Sequence, residues 1–274
     1  MKKISVILMA TMMSVFMITG CAASSQKQAA GAGTNSKSDR STFTVGFDAE
    51  FPPYGYMDDK GEYVGFDLDL AKELCERKGW ELVKQPIDWD AKDMELSSGA
   101  IDCIWNGFTI QGREDDYEWT VPYVDNSQVF VVKEDSGIIK LSDLKDKTVG
   151  VQKDSSALAA LEGDSSELAD TFTKLIQYSD YNTAFMDLEA GAIEALAIDI
   201  GVANYQIQQK GQGYMILDEQ LSSEQYGIGF LKGNTELKDE VEKVLLEMAE
   251  DGTILKIAGD YSDFGMEESI CIGK

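Results

Sequence analysis

Hydrophobic and polar positions change period several times along the chain, and each change predicts an element. Phe43 to Phe47 is rich in β-formers and starts the globular part. Leu68, Ala71, Leu74 and Cys75 recur at helical spacing, with Gly79 placed to stop that helix. Glu81 to Ile87 reads as a strand, Ala91 to Ser98 as a short helix and Ile101 to Trp105 as a strand. That βαβαβ order predicts a parallel sheet with helices on its faces. The pattern then restarts. Strands are predicted at Gln128 to Lys133, Thr148 to Gln152 and Ala195 to Ile198, interleaved with helices over Ser156 to Leu161, Asn182 to Ala190 and Gly201 to Gln209. A strand over Tyr226 to Leu231 precedes two helices. The first carries an apolar stripe of Leu237, Val241, Val244, Leu245 and Met248, and the second spans Ile254 to Ile257. Two α/β units of similar size predict two lobes, each with its own sheet. The lack of a short-period repeat argues against a solenoid.

The first forty residues follow neither period. Lys2 and Lys3 precede an apolar run from Ile4 to Thr19, and the text then reads Ile18-Thr19-Gly20-Cys21. A basic head, a short apolar core and small residues before a cleavage point describe a secretory signal over residues 1–20. The run sits at the low edge of the ~20 residues that cross a bilayer, so an uncleaved membrane helix is the alternative. Ala22 to Ser41 has no large apolar residue and predicts a flexible tether.

Charge narrows the function classes. The formal net charge is −25 and the sequence pI is about 4.2, which disfavours nucleic acid and anionic surfaces as partners. There is no histidine, so the commonest general base and zinc ligand are missing. Beyond Cys21 only Cys75, Cys103 and Cys271 remain, at no metal-binding spacing. They read as buried free thiols, with a Cys75–Cys103 disulfide as the alternative.

Three strings carry the rest. The first is Gly46-Phe47-Asp48-Ala49-Glu50-Phe51-Pro52-Pro53-Tyr54 followed by Gly65-Phe66-Asp67-Leu68-Asp69-Leu70. The second is Gly99-Ala100-Ile101-Asp102, then Trp105-Asn106-Gly107-Phe108-Thr109-Ile110 and Arg113. The third is Gln225-Tyr226-Gly227-Ile228-Gly229-Phe230. Their order and spacing resemble the amino-acid-binding solute receptors of ATP-driven importers, family 3 of the bacterial extracellular solute-binding proteins, in lipoprotein form. The resemblance implies an α/β, two-lobed, type II periplasmic-binding-protein fold, each lobe a mixed or parallel sheet flanked by helices. Lobe 1 would comprise 42–126 and 227–274, and lobe 2 would comprise 127–226. Two strands near Asn126 to Val129 and Ser223 to Tyr226 would form the hinge. Cys21 would be the lipidated first residue of an extracytoplasmic, membrane-anchored monomer that hands a free amino acid to an importer permease and needs no cofactor.

The chemistry of such a ligand fits the residues. A zwitterion leaves water only when each charge meets a partner. By resemblance Arg113 is the carboxylate clamp, its planar fork donating two hydrogen bonds, helped by the Thr109 hydroxyl and the backbone near Asn106 and Gly107. Gln111-Gly112 is one residue shorter than the family pattern, and a surface pairing with Glu114 or Asp115 is the alternative. Asp199, closing an apolar strand, is the implied ammonium acceptor; a helix cap is the other reading. Ser156, near a helix start, would offer its hydroxyl and N–H to the carboxylate. Gln152 would contact the ligand side chain, and Phe51 and Trp89 would sandwich its stem or serve as plain core. Asp48 would set specificity, with Glu50 facing the ligand or solvent, and the surplus of acids favours a cationic or neutral polar amino acid. Two other functions stay open: a ligand-sensing lipoprotein without transport, and a dehydratase-like enzyme using Asp48 and Asp199 as acid and base. Ser142 to Lys145 has no Lys-Thr-Gly partner and reads as a short surface helix. Gly211-Gln212-Gly213 is no dinucleotide loop. Asp58 to Gly61 reads as a hairpin turn rather than a calcium loop.

Overall fold

Phe43, Val45 and Phe47 bury their side chains along β1 (Thr42–Phe47), the strand on which the first half of the molecule is built. The structure, a computed structural model, describes residues 40–211 and 213–274. The expected leader, Cys21 and nearly all of the expected tether lie outside the described residues, as does Gln212 of the rejected dinucleotide loop.

After β1 come three short strands that form a small sheet of their own, β2 (Glu50–Phe51), β3 (Gly55–Met57) and β4 (Tyr63–Val64). Asp58 Oδ1 accepts the N–H groups of Lys60 and Glu62 and so shapes the β3–β4 hairpin turn. Helix α1 (Phe66–Lys78) carries Asp67 and Asp69 in its first turn and Arg77 and Lys78 in its last, matching the helix dipole. Gly79 ends it at φ 70°, its N–H returning to the carbonyls of the last turn. Then follow β5 (Glu81–Pro86), a 3₁₀ turn at Trp89–Ala91, α2 (Lys92–Ser98), β6 (Cys103–Thr109), β7 (Tyr117–Trp119) and the ten-residue β8 (Val124–Lys133).

The second half holds a 3₁₀ turn at Leu141–Leu144, β9 (Thr148–Gln152), α3 (Ser156–Glu162), α4 (Ser166–Ala169), β10 (Lys174–Tyr178) and α5 (Tyr181–Ala190). It continues with β11 (Ala195–Asp199), α6 (Ile200–Lys210) and β12 (Tyr214–Ile216). The chain returns through β13 (Ser222–Leu231) to α7 (Thr235–Glu250), α8 (Thr253–Gly259), a 3₁₀ turn at Ser262–Phe264 and α9 (Met266–Ser269). The predicted stripe of α7 is its buried face, and each such side chain contributes roughly 1.5–3 kcal/mol on burial.

The strand order is β10-β9-β11-β8-β13-β6-β1-β5. Strands β1, β5 and β6 run parallel, as do β9, β10 and β11, while β8 and β13 run antiparallel to their neighbours. The expectation of a separate sheet for each lobe needs refinement, because the ladder is continuous. β8 pairs β11 over Gln128 to Val132 and β13 over Val124 to Gln128. β13 pairs β8 over Ser222 to Tyr226 and β6 over Tyr226 to Phe230. Each long strand therefore belongs to both halves, and the two cross between them as a hydrogen-bonded pair. The mixed α/β, two-lobed class read from the sequence is the class observed.

Strand β6 differs from its expected span. It starts at Cys103 and runs on to Thr109, and all seven residues are buried, so no alternation marks its end. Cys75, Cys103 and Cys271 are free thiols, the first two buried. Among the described residues no helix is long and apolar enough to cross a membrane.

Candidate functional site

The parallel strands deliver their carboxyl ends to one cleft, where open α/β sheets place ligands. Asp48 follows β1, Thr109 ends β6, Gln152 ends β9 and Asp199 ends β11. The cavity they approach is lined by Phe51, Trp89, Gly107, Thr109 and Arg113 from the first half and by Gln152, Ser155, Ser156 and Asp199 from the second. Eight sequence-predicted residues thus line one cavity. Asp48 and Asn106 stand immediately behind it: Gln152 Nε2 donates to Asp48 Oδ2 at 2.8 Å, and the Asp48 N–H donates to Asn106 Oδ1 at 3.0 Å. Ser155 is the lining residue that the sequence reading missed. It caps α3, accepting from the Leu158 N–H at 3.1 Å, and only an N-cap search at that helix would have flagged it.

Gly107 is required where it is. Its φ of 56° lies in the left-handed region, and a Cβ there would come within 2.9 Å of the Phe51 ring. The bare backbone lets Phe51 close over it. Asp67, fully buried, fixes that backbone: Oδ2 accepts the Gly107 N–H at 2.6 Å and Oδ1 accepts from Tyr123 OH at 2.8 Å. Burial pushes the Asp67 carboxyl up to about 7 against these hydrogen bonds.

Arg113 does not pair with Glu114 or Asp115. Its Nη2 donates to the Asp154 carbonyl at 3.0 Å and its Nη1 to the Thr109 carbonyl at 3.4 Å, with the guanidinium 5.3 Å from the Phe108 ring centre. Asp199 occupies the N-cap position of α6, yet its side chain makes no cap hydrogen bond. Instead Oδ1 accepts from Asn126 Nδ2 at 2.8 Å, from Gln128 Nε2 at 2.6 Å and from Tyr226 OH. Burial, and next the charge of Glu224, push Asp199 up to about 7. Burial likewise raises Asp48 to about 6.

Asp48 borders an acidic recess shared with Glu50, Asp88, Asp90, Glu95 and Asp180, with Lys153 as its cation. Glu50 itself is exposed, reaching Asn182 Nδ2 at 3.4 Å. A further contact set spans the cleft unforeseen. The Asp154 carbonyl accepts from Trp89 Nε1 at 3.2 Å as well as from Arg113, and its carboxylate pairs with the buried Lys92 ammonium. Among the described residues no group of His, Cys, Asp or Glu is arranged to hold a metal ion.

A guanidinium from one half and a carboxylate from the other therefore face a single small cavity. The family Bacterial extracellular solute-binding proteins, family 3, matches residues 43–264 of this chain. The chain belongs to that family. Among family-3 relatives, the L-cystine-binding protein TcyJ of Escherichia coli is 30% identical, with 80% of this chain and 82% of that one covered. The histidine-binding periplasmic protein of Escherichia coli is 31% identical over 80% of this chain and 87% of its own. A solved ABC uptake transporter substrate-binding protein from Streptococcus pneumoniae, with bound histidine, superposes with a TM-score of 0.78 at 34% identity. That match covers 80% of this chain and 92% of the other. Family-3 proteins are extracellular solute binders, and the relatives named here are binding proteins rather than enzymes.

Proposed function

We propose that this family-3 protein is an extracytoplasmic receptor for a free polar or cationic L-amino acid, which it encloses between two lobes and delivers to an ABC importer. The observation that carries the reading is the opposition of Arg113 and Asp199 across one cavity, each from a different half of the molecule. Arg113 takes the ligand α-carboxylate together with the N–H of Ser156. Asp199 takes the α-ammonium, and Phe51 and Trp89 flank the side chain. The side chain runs toward Gln152 and Asp48, where the neighbouring acids favour a cationic or neutral polar end over a carboxylate. Lobe 1 comprises 42–126 and 227–274 and lobe 2 comprises 127–226, a division that the change of partners along β8 and β13 supports. Because the ligand touches both lobes, it stabilises the closed arrangement through contacts that an open one lacks. Lipidation at Cys21 holds this monomer at the membrane surface.

Titration calorimetry of the purified protein against the twenty amino acids, ornithine and cystine tests the reading. Tight one-to-one binding by a few cationic or polar members is the expected outcome. Silence across the panel, or a preference for Glu or Asp, would overturn it.

A further inference from the structure

Directly behind the two-ended site, on a crossing strand, lies an acid that the reading above leaves without a role. Glu224 of β13 is 6% exposed and sits opposite Asn126 in the ladder. Its Oε1 accepts from Asn126 Nδ2 at 2.7 Å, Gln128 Nε2 at 2.8 Å, Thr109 Oγ1 at 2.8 Å and Ser156 Oγ at 3.2 Å. The same two amides serve Asp199 Oδ1. Both turn their nitrogens to the acids, and Asn126 Oδ1 and Gln128 Oε1 are buried with no protein hydrogen bond. Thr109 comes from the first half and Ser156 from the second, so Glu224 gathers one hydroxyl from each wall of the cavity.

A hydroxyl has one proton and two lone pairs. Thr109 Oγ1 lies 2.8 Å from the Glu224 carboxylate and 3.2 Å from Ser156 Oγ, and the nearer, charged acceptor takes the proton. The two protons of Gln128 Nε2 go to the nearer carboxylates, Asp199 Oδ1 at 2.6 Å and Glu224 Oε1 at 2.8 Å, and Ser156 Oγ directs its own proton to Glu224 at 3.2 Å. What either hydroxyl still has to offer the cavity is a lone pair. A ligand carboxylate brings no proton to a lone pair, whereas an ammonium brings three.

We infer that Glu224 is a positioning residue for ammonium recognition, turning the hydroxyls of Thr109 and Ser156 into acceptors that join Asp199 around the ligand ammonium. The inference rests on the amino-acid reading and changes one part of it. The two hydroxyls pass from the carboxylate side, where the resemblance put them, to the ammonium side. The carboxylate is left to Arg113 and backbone N–H groups.

The test is calorimetric titration of the protein against the twenty amino acids, ornithine and cystine, then of its variants with whichever of these the parent binds, with melting curves as the folding control. Glu224→Leu, which removes the acceptor, should weaken binding tenfold or more. Glu224→Gln keeps an acceptor oxygen at the same place and should cost no more than threefold. In a Thr109→Val background Glu224→Leu should cost no more than a further threefold. Independent, multiplicative losses from Glu224→Leu and Thr109→Val would overturn the inference. So would a tenfold loss in Glu224→Gln, since charge rather than hydroxyl orientation would then be at work. If Glu224→Leu has no cooperative melt, Glu224→Gln decides alone by the same thresholds. Parent protein that binds none of the twenty amino acids, ornithine or cystine overturns the amino-acid reading and this inference together. Parent binding with multiplicative losses overturns the inference alone.

Discussion

At the scale of residues, Arg113 shows how a one-residue departure is absorbed. It follows Thr109 one position earlier than the family pattern, yet its guanidinium still lines the cavity. Gly112 at φ 80° turns the chain, and the Arg113 N–H closes that turn on the Ile110 carbonyl at 2.9 Å. The two backbone carbonyls it holds use part of a five-donor fork, leaving donors for a ligand carboxylate. Arg113→Ala should therefore weaken amino-acid binding by at least about 2 kcal/mol, because it strands a desolvated carboxylate. Arg113→Lys should recover only part of that loss, since an ammonium lacks the planar fork. Equal affinity in the alanine variant, measured by calorimetry, would remove Arg113 from the site. Asp199 was legible because it closes a recognisable apolar strand, and Thr109 and Arg113 because they stand in a string that resembles the family's. Glu224 was not: it lies in the polar run Ser222 to Gln225, and the residues that give it meaning are Thr109, Asn126, Gln128 and Ser156, far away in sequence.

At the scale of elements, strongly periodic segments could be read and weakly patterned ones could not. β1, α1, β9 and α7 match their expected spans, the two helices because each buries one regular face and the two strands because each is a short, mostly buried run of β-formers. β10 was missed because its pattern is mostly half-buried, and the three strands of the small sheet are too short to show a period. The β9–α3 connection hid more. Asp154 sits there at φ 53°, a left-handed conformation uncommon outside glycine, and receives Trp89, Arg113 and Lys92 from the opposite wall. The ion pair is lopsided, Lys92 being 2% exposed and Asp154 50%. Removing the acid strands a buried charge, whereas removing the lysine leaves a carboxylate that water still reaches. Asp154→Ala should accordingly weaken ligand binding about tenfold or more, chiefly through faster release, and Lys92→Met by clearly less. Stopped-flow release rates check this, and equal effects from the two substitutions would contradict it.

For the whole molecule, proton balance links folding to binding. Asp48, held at about 6, and Asp67 and Asp199, held at about 7, all lie above the ordinary 3.8. Between about pH 4 and 7 the folded chain therefore binds more protons than the unfolded one, and these groups make stability fall as pH rises. The unliganded protein should melt higher at pH 5.5 than at pH 8, an effect that the repulsion within a net charge of −25 reinforces. Ligand affinity should run the opposite way. An ammonium needs Asp199 ionised, so binding near pH 6 should release a proton, visible as a buffer-dependent calorimetric heat. Heat independent of buffer, with affinity flat from pH 8 to 5.5, would count against Asp199 as the ammonium acceptor. The crossing strands add a mechanical consequence. Their register, from Ser222 opposite Gln128 to Tyr226 opposite Val124, cannot slip by one residue without turning every side chain to the wrong face. In the proposed receptor the halves would therefore swivel but not slide, as the jaws of a calliper do. Such an instrument would report the size of what it grips as a single angle, which the proposed importer could gauge from outside without ever touching the cargo.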